Sequence, residues 1–337
     1  MSQETQIATD DGDVDDERPA PLLSVLVPAK DEVGSLRQLV AEVREALDGD
    51  DALRGRWELI LIDDGSEDGS WGVMEELAED HGPVSALRFR TNRGKSAALA
   101  AGLELARGEI IATMDGDLQD GPAELPGMVA RLEDGVDLVA GHKAERRDPL
   151  TKTLPSKLFN LVTSLVTGLR LRDHNCGMKV GRRDAFESVP LYGEMHRFLA
   201  AICHAEGYAV EEYSVNHRPR IHGRSKFGLE RYARGGLDLI TVITLTRYSR
   251  RPAHLFGGAG ILFGVAGFGI LAYLTGLWLL TDQAIGGRPL LLFGVLFMVL
   301  SVQLVSLGVL AELLVNREAV RENPLRHAVD RAPPPKV

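Results

Sequence analysis

The sequence predicts an α/β domain on a mostly parallel sheet, followed by interfacial amphipathic helices and a transmembrane helical hairpin. Three observations lead there. Continuous apolar runs, LLSVLVP (Leu22 to Pro28), WELILI (Trp57 to Ile62) and IIATM (Ile110 to Met114), alternate with stretches of helical period. Strands apolar on both faces need a sheet covered on both sides, and alternation with helices makes such a sheet parallel. Each run also ends in polar residues: Lys30 and Glu32, Asp63 and Asp64, Asp115 and Asp117. In parallel sheets ligands bind beyond the carboxyl ends of the strands, so three such ends point to a nucleotide pocket. Finally, Leu255 to Leu280 is 26 residues without a charge, and Leu290 to Ala311 is 22 more with Gln303 as the single strongly polar member. At about 1.5 Å per residue, either exceeds the roughly 30 Å of a bilayer's hydrocarbon.

The elements follow in order. Residues 1–20 form an acidic tail; Met1 to Arg18 holds seven acids and one base with no apolar period, so it reads as disordered and not as a signal peptide. The α/β domain is expected over residues 21–228. After the first strand a helix runs through Leu47. The second strand precedes a helix from Ser70 to Asp80, a strand from Val84 to Arg90 and a helix from Lys95 to Arg107. The strand at Ile110 is followed by a helix from Pro122 to Glu133 and a strand from Asp137 to Gly141. Leu154 to Leu169 has helical period and fits an interfacial helix and a packed core helix equally. RDHNCGMKVGRRDAF reads as loop, short strand and helix start. A helix from Met195 to Glu206, a strand from Tyr208 to His217 and a Gly- and Arg-rich loop, PRIHGRSKFG, complete the domain. Residues 229–252 are a basic juxtamembrane helix, 253–315 carry the spans 255–280 and 290–311, and 316–337 are a tail.

The chain has 337 residues and a net charge of −10, but the sign is unevenly placed. Arg218 to Arg251 carries nine basic and two acidic residues just before the first span, and Asn316 to Val337 five basic and three acidic. The turn between the spans has only Asp282 and Arg288. By the positive-inside rule both termini face the cytoplasm and the turn lies outside, and the basic collar attracts anionic lipid. The α/β part has no basic stripe interleaved with aromatics, which argues against nucleic acid as a partner. Cys176 and Cys203 stand alone with no CxxC or Cys/His spacing, as expected of two reduced cytosolic thiols.

The chain is organised around EIIATMDGDLQD, Glu109 to Asp120. Beyond the strand's end the backbone leaves the sheet, so Asp115 and Asp117 can turn to one small, hard cation, Mg²⁺ or Mn²⁺, with the amide oxygen of Gln119 as a further ligand. A site built from so few protein oxygens keeps positions for phosphate. Asn92-Arg93-Gly94-Lys95-Ser96 resembles the end of a P-loop but lacks the upstream glycine, since position 89 is Phe; it reads as a helix N-terminus in the wall of the nucleotide pocket.

With Asp63-Asp64-Gly65-Ser66, Asp115-Gly116-Asp117 and Gly223-Arg224-Ser225-Lys226 in hand, Leu23 to Ala311 resembles the family 2 glycosyltransferases of the GT-A fold. More narrowly it is similar to the polyprenyl-phosphate glycosyltransferases related to dolichyl-phosphate mannose synthase, whose bacterial members carry two C-terminal spans. The resemblance implies that Pro28, Lys30 and Glu32 line the base and ribose, with Lys30 where an aromatic is common, and that Ile62 and Asp64 contact the base. It implies that Asp115, Gly116 and Asp117 bind metal and diphosphate, with Gln119 near the metal, and that Lys143 stands at a position often Arg. Arg220 and Lys226 match the basic pair that closes over the diphosphate. Lys152 and Ser156 match the pair that handles the acceptor phosphate, again with Lys for Arg, which keeps the charge but not the bidentate fork.

The implied reaction is inverting transfer of a hexose from a nucleotide diphosphate sugar, a UDP-hexose such as UDP-glucose or GDP-mannose, to undecaprenyl, decaprenyl or dolichyl phosphate. The product is a lipid-linked sugar for cell-envelope glycan or glycoprotein synthesis. A phosphate whose second pKa lies near 6 is already nucleophilic at neutral pH, so no general base is required. A hydroxyl acceptor would need one, and Asp173 is the candidate, equally readable as a loop-ordering aspartate. Arg146 and Arg147 divide evenly between acceptor contact and a solvated loop. Gly260 and Gly264 form a small-xxx-small pair, read first as packing the spans together, while a homo-oligomer stays open. A processive polysaccharide synthase is disfavoured by the missing Gln-x-x-Arg-Trp motif and by having two spans only. A non-catalytic scaffold is disfavoured by the intact Asp115, Asp117, Arg220 and Lys226.

Overall fold

The computed structural model describes residues 20–80, 82–132, 135–143, 160, 163–164, 167–218, 252–281 and 284–319. It divides into two units, Met1–Arg231 and Tyr232–Val337. The expected roles of Arg146, Arg147, Lys152, Ser156, Arg220 and Lys226, the helix at 229–252 and most of both tails lie outside the described residues.

In the first unit the strands are β1 (Leu23–Ala29), β2 (Trp57–Asp63), β3 (Val84–Arg88), β4 (Ile110–Thr113), β5 (Leu138–Lys143), β6 (Lys179–Arg182) and β7 (Val210–Val215). They form one sheet in the order β3-β2-β1-β4-β6-β5-β7. All pairings are parallel except those of β6 with β4 and with β5. Every residue of β1 and β2 is buried, as their unbroken apolar runs require.

Alternate residues of these strands serve opposite layers. Leu23, Val25 and Val27 with Leu59 and Leu61 share a core with α1 (Leu36–Asp48), with Met74 of α2 (Ser70–Glu79) and with Leu125 and Met128 of α4 (Leu125–Arg131). On the other face α3 (Lys95–Leu105) lies so close that a Cβ on Gly102 would fall 2.6 Å from Ile62 Cδ1. In α1 the buried set Leu36, Leu39, Val40, Val43 and Leu47 is the 3.6-residue stripe visible in the sequence.

Two expected helices are divided. Pro122–Glu124 is a 3-10 turn before α4, and Pro126, with no N–H, suits the first turn of a new helix. Met195–Arg197 is another 3-10 turn, pinned where the His196 N–H donates to Ser96 Oγ at 3.1 Å, before α6 (Leu199–Ala205). The short helix after β6 is α5 (Arg183–Glu187).

One buried acid interrupts β2. Glu58 accepts from Ser24 Oγ at 2.7 Å and from the N–H and Nε of Arg107 at 2.6 and 3.0 Å, so burial costs it no unpaired oxygen.

The second unit is a helical hairpin, α7 (Pro252–Thr281) and α8 (Pro289–Ala319). Only 11% and 6% of their most apolar windows are buried, which separates them from the core helices of a soluble domain. Glycine lets them approach: a Cβ on Gly260 would meet Val305 at 2.8 Å, on Gly264 Ser301 at 2.7 Å and on Gly267 the Gly294 carbonyl at 2.9 Å. The Gly260 and Gly264 pair therefore packs the hairpin together. Phe263 and Phe297 meet edge to face at 5.2 Å, and Glu312 accepts the Ala253 N–H at the start of α7.

Candidate active site

Strand order places the site. β1 lies between β2 and β4, the point where consecutive parallel strands depart in opposite directions, which is where such sheets bind ligands, beyond the carboxyl ends of the strands. The loops that line it are laced together. The N–H groups of Asp31, Glu32 and Val33, after β1, donate to Ser66 Oγ, Ser70 Oγ and an Asp68 oxygen at 2.9, 2.9 and 3.1 Å. Asp63 accepts the Ser66 N–H at 2.8 Å and pairs with Arg88 at 3.1 Å, so it orders the turn. Asp64 accepts from the N–H groups of Arg93 and Gly94 at 2.6 and 3.0 Å, which ties the IDDGS turn to the loop before α3. Pro28 and Ile62 are buried at the strand ends, and Lys30 and Glu32 are partly exposed.

β4 delivers Asp115 and Asp117. Gly116 between them is held by Ser35 Oγ, which donates to its carbonyl at 2.7 Å, and a Cβ there would meet Ala29 at 3.0 Å. Leu118 follows in the left-handed region at φ 60°, and the Gln119 N–H returns to Asp117 Oδ1 at 3.2 Å. Opposite, Gly177 has no Cβ, which would stand 2.6 Å from Asp115 Oδ2. The carboxylate therefore sits hard against bare backbone.

Lys95, the first residue of α3, forms an ion pair with Asp115. Burial works to raise the Asp115 carboxyl, but the Lys95 ammonium and its hydrogen bond outweigh it, with help from Lys143, and hold the group down to about 2. Behind them His196 Nδ1 lies 2.9 Å from Ser96 Oγ. Burial, then Lys95 and Arg197, push this imidazole down to about 2, so it is neutral. Lys179, buried on β6, donates to the Cys176 carbonyl, and burial lowers its pKa.

A third strand end joins the loop. His217, just after β7, forms a bridge with Asp120, and its Nδ1 lies 3.1 Å from Asp120 Oδ1. With Nδ1 donating to that carboxylate, Nε2 accepts from Lys143 at 3.2 Å and faces the Gln119 amide at 3.4 Å. The Arg218 N–H donates to the Gln119 carbonyl at 2.8 Å, and its guanidinium grips Glu42 of α1 at 2.8 and 3.0 Å. Arg218 is thus held between the Asp115–Asp120 loop and α1.

Of the expected residues, the structure brings Asp115, Asp117, Gln119 and Lys143 to one loop cluster and Pro28, Lys30, Glu32, Ile62 and Asp64 to the neighbouring strand ends. Sequence reasoning missed Lys95 as the partner of Asp115, and also Lys179, His196 and His217. The position of Lys95 at a helix start was a signal for the first, whereas nothing local marks the others. Asp173 is buried and accepts the Asn175 N–H at 3.1 Å, the geometry of a loop-ordering turn. Cys176 and Cys203 are free and buried, and burial pushes both thiols up to about 12.

Among the described residues no group of three or more His, Cys, Asp or Glu could hold a metal. The donor set is instead two carboxylates and a carboxamide, all hard oxygens. Asp115 is held ionised against an existing cation, and Gly177, lacking a Cβ, makes room for it. These residues fit Mg²⁺ or Mn²⁺ of the kind completed by substrate phosphate, and do not form a closed cage.

A family model described as glycosyl transferase family 2 matches residues 24–189. Over 297 residues the chain is 38% identical to a dodecaprenyl-phosphate galacturonate synthase of Rhizobium johnstonii, covering 87% of each protein. It is 35% identical over 298 residues to an undecaprenyl-phosphate 4-deoxy-4-formamido-L-arabinose transferase of Pseudomonas aeruginosa, 88% of this chain and 86% of that protein. Among solved structures, mannosyl-3-phosphoglycerate synthase of Rubrobacter xylanophilus superposes with a TM-score of 0.51 at 21% identity, covering 66% of this chain and 73% of that one. A glucosyl-3-phosphoglycerate synthase of Mycobacterium tuberculosis, in complex with Mn²⁺, UDP and product, gives 0.51 at 20%, covering 66% and 79%. At these identities the structural likeness shows the fold, which is GT-A.

Proposed function

Because the chain belongs to glycosyl transferase family 2 and is a glycosyltransferase, we propose that it moves a sugar from a nucleotide diphosphate donor to a polyprenyl phosphate at the cytoplasmic face of the plasma membrane. The observation that supports this best is the pair Asp115 and Asp117 beyond β4, where strand order reverses, with Lys95 holding Asp115 ionised. The relatives named above for polyprenyl-phosphate chemistry match most of the chain's length, and two apolar helices close the chain.

The donor base and ribose rest on Pro28, Lys30, Glu32, Ile62 and Asp64. Breaking the bond from sugar to diphosphate builds negative charge on the leaving oxygen. A divalent cation held by Asp115, Asp117 and Gln119 would stabilise that charge when bound. Lys143, oriented by His217, adds a positive charge at the same strand ends, and Arg220 and Lys226 are assigned to the diphosphate from the following loop. Lys152 and Ser156 are assigned to the acceptor phosphate. Its oxygen is already ionised at neutral pH, so it attacks without a base, and attack opposite the diphosphate inverts the anomeric centre. Asp173, engaged with Asn175, is left out of the chemistry.

The donor is a UDP-hexose or GDP-mannose on the family reading, and the relatives' names add a uronic acid and an aminopentose derivative to the sugars worth testing. The full chain in vesicles containing undecaprenyl phosphate and Mg²⁺ or Mn²⁺ is offered UDP-glucose, GDP-mannose, UDP-galacturonic acid and UDP-4-deoxy-4-formamido-arabinose in turn. A lipid-linked sugar that disappears with EDTA is expected from at least one. Absence of product from all four, with either metal, overturns the proposal.

A further inference from the structure

Three side chains at the 3-10 turn Met195–Arg197 stand beside the cation loop: Glu194, His196 and Arg197. Helix α3 pins the turn at Ser96, which is wholly buried. Its Oγ accepts the His196 N–H at 3.1 Å and lies 2.9 Å from Nδ1 of the same residue. Ser96 follows Lys95, and Lys95 pairs with Asp115. The imidazole is therefore fastened next to the residue that holds an expected cation ligand, and it feels the charges of both.

Hydrogen-bond accounting fixes the tautomer. Among the described residues the Ser96 hydroxyl proton has no acceptor other than His196 Nδ1. A hydroxyl shut off from water leaves its proton unpaired only at a cost, so Oγ–H donates to Nδ1 and the neutral ring carries its proton on Nε2. That Nε2–H meets no acceptor among the described residues: Glu194 Oε2 lies 3.9 Å away, too far for a direct bond. The same Glu194 oxygen is fixed by Arg197 Nη2 at 2.9 Å. Both groups reach solvent, the His196 side chain 13% and the Glu194 side chain 37% exposed.

A fixed N–H donor and a fixed carboxylate acceptor 3.9 Å apart are bridged by one oxygen that accepts from the first and donates to the second. A hydroxyl does both. A diphosphate oxygen has no proton to give Glu194 and would stand against a like charge. Polyprenyl phosphate carries no hydroxyl on its chain, and the ribose is assigned to the ends of β1 and β2. The sugar attached to the diphosphate remains. We propose that His196 Nε2–H and Glu194 together receive one hydroxyl of the sugar being transferred, and so help to set which sugars are accepted. The inference rests on the nucleotide-sugar reading of the site and names a specificity contact within it.

The test compares a donor with its own nucleotide. The full chain in vesicles with Mn²⁺ is titrated by calorimetry with UDP or GDP and with whichever of UDP-glucose, GDP-mannose, UDP-galacturonic acid and UDP-4-deoxy-4-formamido-arabinose serves in transfer. In His196→Asn the carboxamide oxygen stands where Nδ1 stood and still accepts from Ser96, but no N–H reaches outward. This variant is expected to bind the donor about 3- to 10-fold more weakly and the bare nucleotide unchanged. His196→Gln, long enough to restore the N–H, is expected to recover part of the loss. Glu194→Ala leaves Ser96 untouched, so it carries the same comparison should the His196 variants not fold. It is expected to weaken the donor by about 10- to 100-fold while sparing the nucleotide, and adding His196→Asn to it should cost little more, since the two hold one hydroxyl. Equal losses for donor and nucleotide would place the pair on the ribose or in the scaffold and overturn the proposal, as would no loss for either. Failure of the wild type to transfer from any of the four donors brings down the reading of function and this proposal with it.

Discussion

The sheet domain and the helical hairpin use the same apolar residues in opposite ways. β1 and β2 have no exposed residue, while α7 and α8 leave most of their large side chains exposed. In water, burial drives folding, and polar groups are tolerated inside only when paired, as Glu58 is with Ser24 and Arg107. In the hairpin, whose outer side chains are mostly apolar and exposed, close glycine contacts let the two helices approach instead. The same residue type changes meaning accordingly. Gly177 makes room for a carboxylate, and Gly260 makes room for another helix. The sheet domain should therefore fail through unpaired polar groups and the hairpin through added bulk.

Four experiments sharpen that contrast, taken from the largest effect down. Asp117→Ala is expected to lower transfer by about 100- to 1,000-fold, the scale of losing a key electrostatic contact to a developing charge, with the unfolding midpoint nearly unchanged. A large fall in midpoint instead would make Asp117 structural. Glu58→Ala should do the reverse, leaving the Arg107 N–H and Ser24 hydroxyl unpaired and costing about 2 to 3 kcal/mol in a denaturant titration.

Acid gives a third handle. Burial, then Lys179, hold the His174 imidazole down to about 4 from its usual 6.5. A group with a depressed folded pKa supplies stability that is complete above the unfolded value and declines as pH falls from 6.5 toward 4. The sheet domain should lose about 2 kcal/mol from this group by pH 5, and His174→Gln should remove that share of the loss; an equal loss in the variant breaks the assignment. The smallest effect belongs to the hairpin. Gly260→Ala places a Cβ 2.8 Å from Val305 and should weaken helix association by about 1 kcal/mol, whereas Gly257→Ala, with open space at that position, should be neutral. Equal effects at the two positions would remove the packing role.

Legibility followed the same divide. The apolar runs, the helical periods, the strand ends bearing Asp63, Asp64, Asp115 and Asp117, and the two long apolar helices were all readable, because each depends on a repeat or a neighbour within a few residues. The prolines at 122 and 126 were visible too, but their consequence, a 3-10 turn before α4, depends on where the chain must turn. Lys95 and Asp115 are 20 positions apart and His196 is 100 from Ser96, so no window on the sequence could join them.

By itself the sequence determined the layered α/β class, the acid-ended strands and the hairpin, since composition and period along one chain suffice for those. Only the tertiary structure decided which polar groups meet. β4 came to lie beside β1, α3 brought Lys95 to Asp115, and β7 carried His217 to Asp120 and Lys143. The reason is range. Periodicity is a local property of the backbone, while an ion pair is defined by what the rest of the chain places within a few ångströms of it.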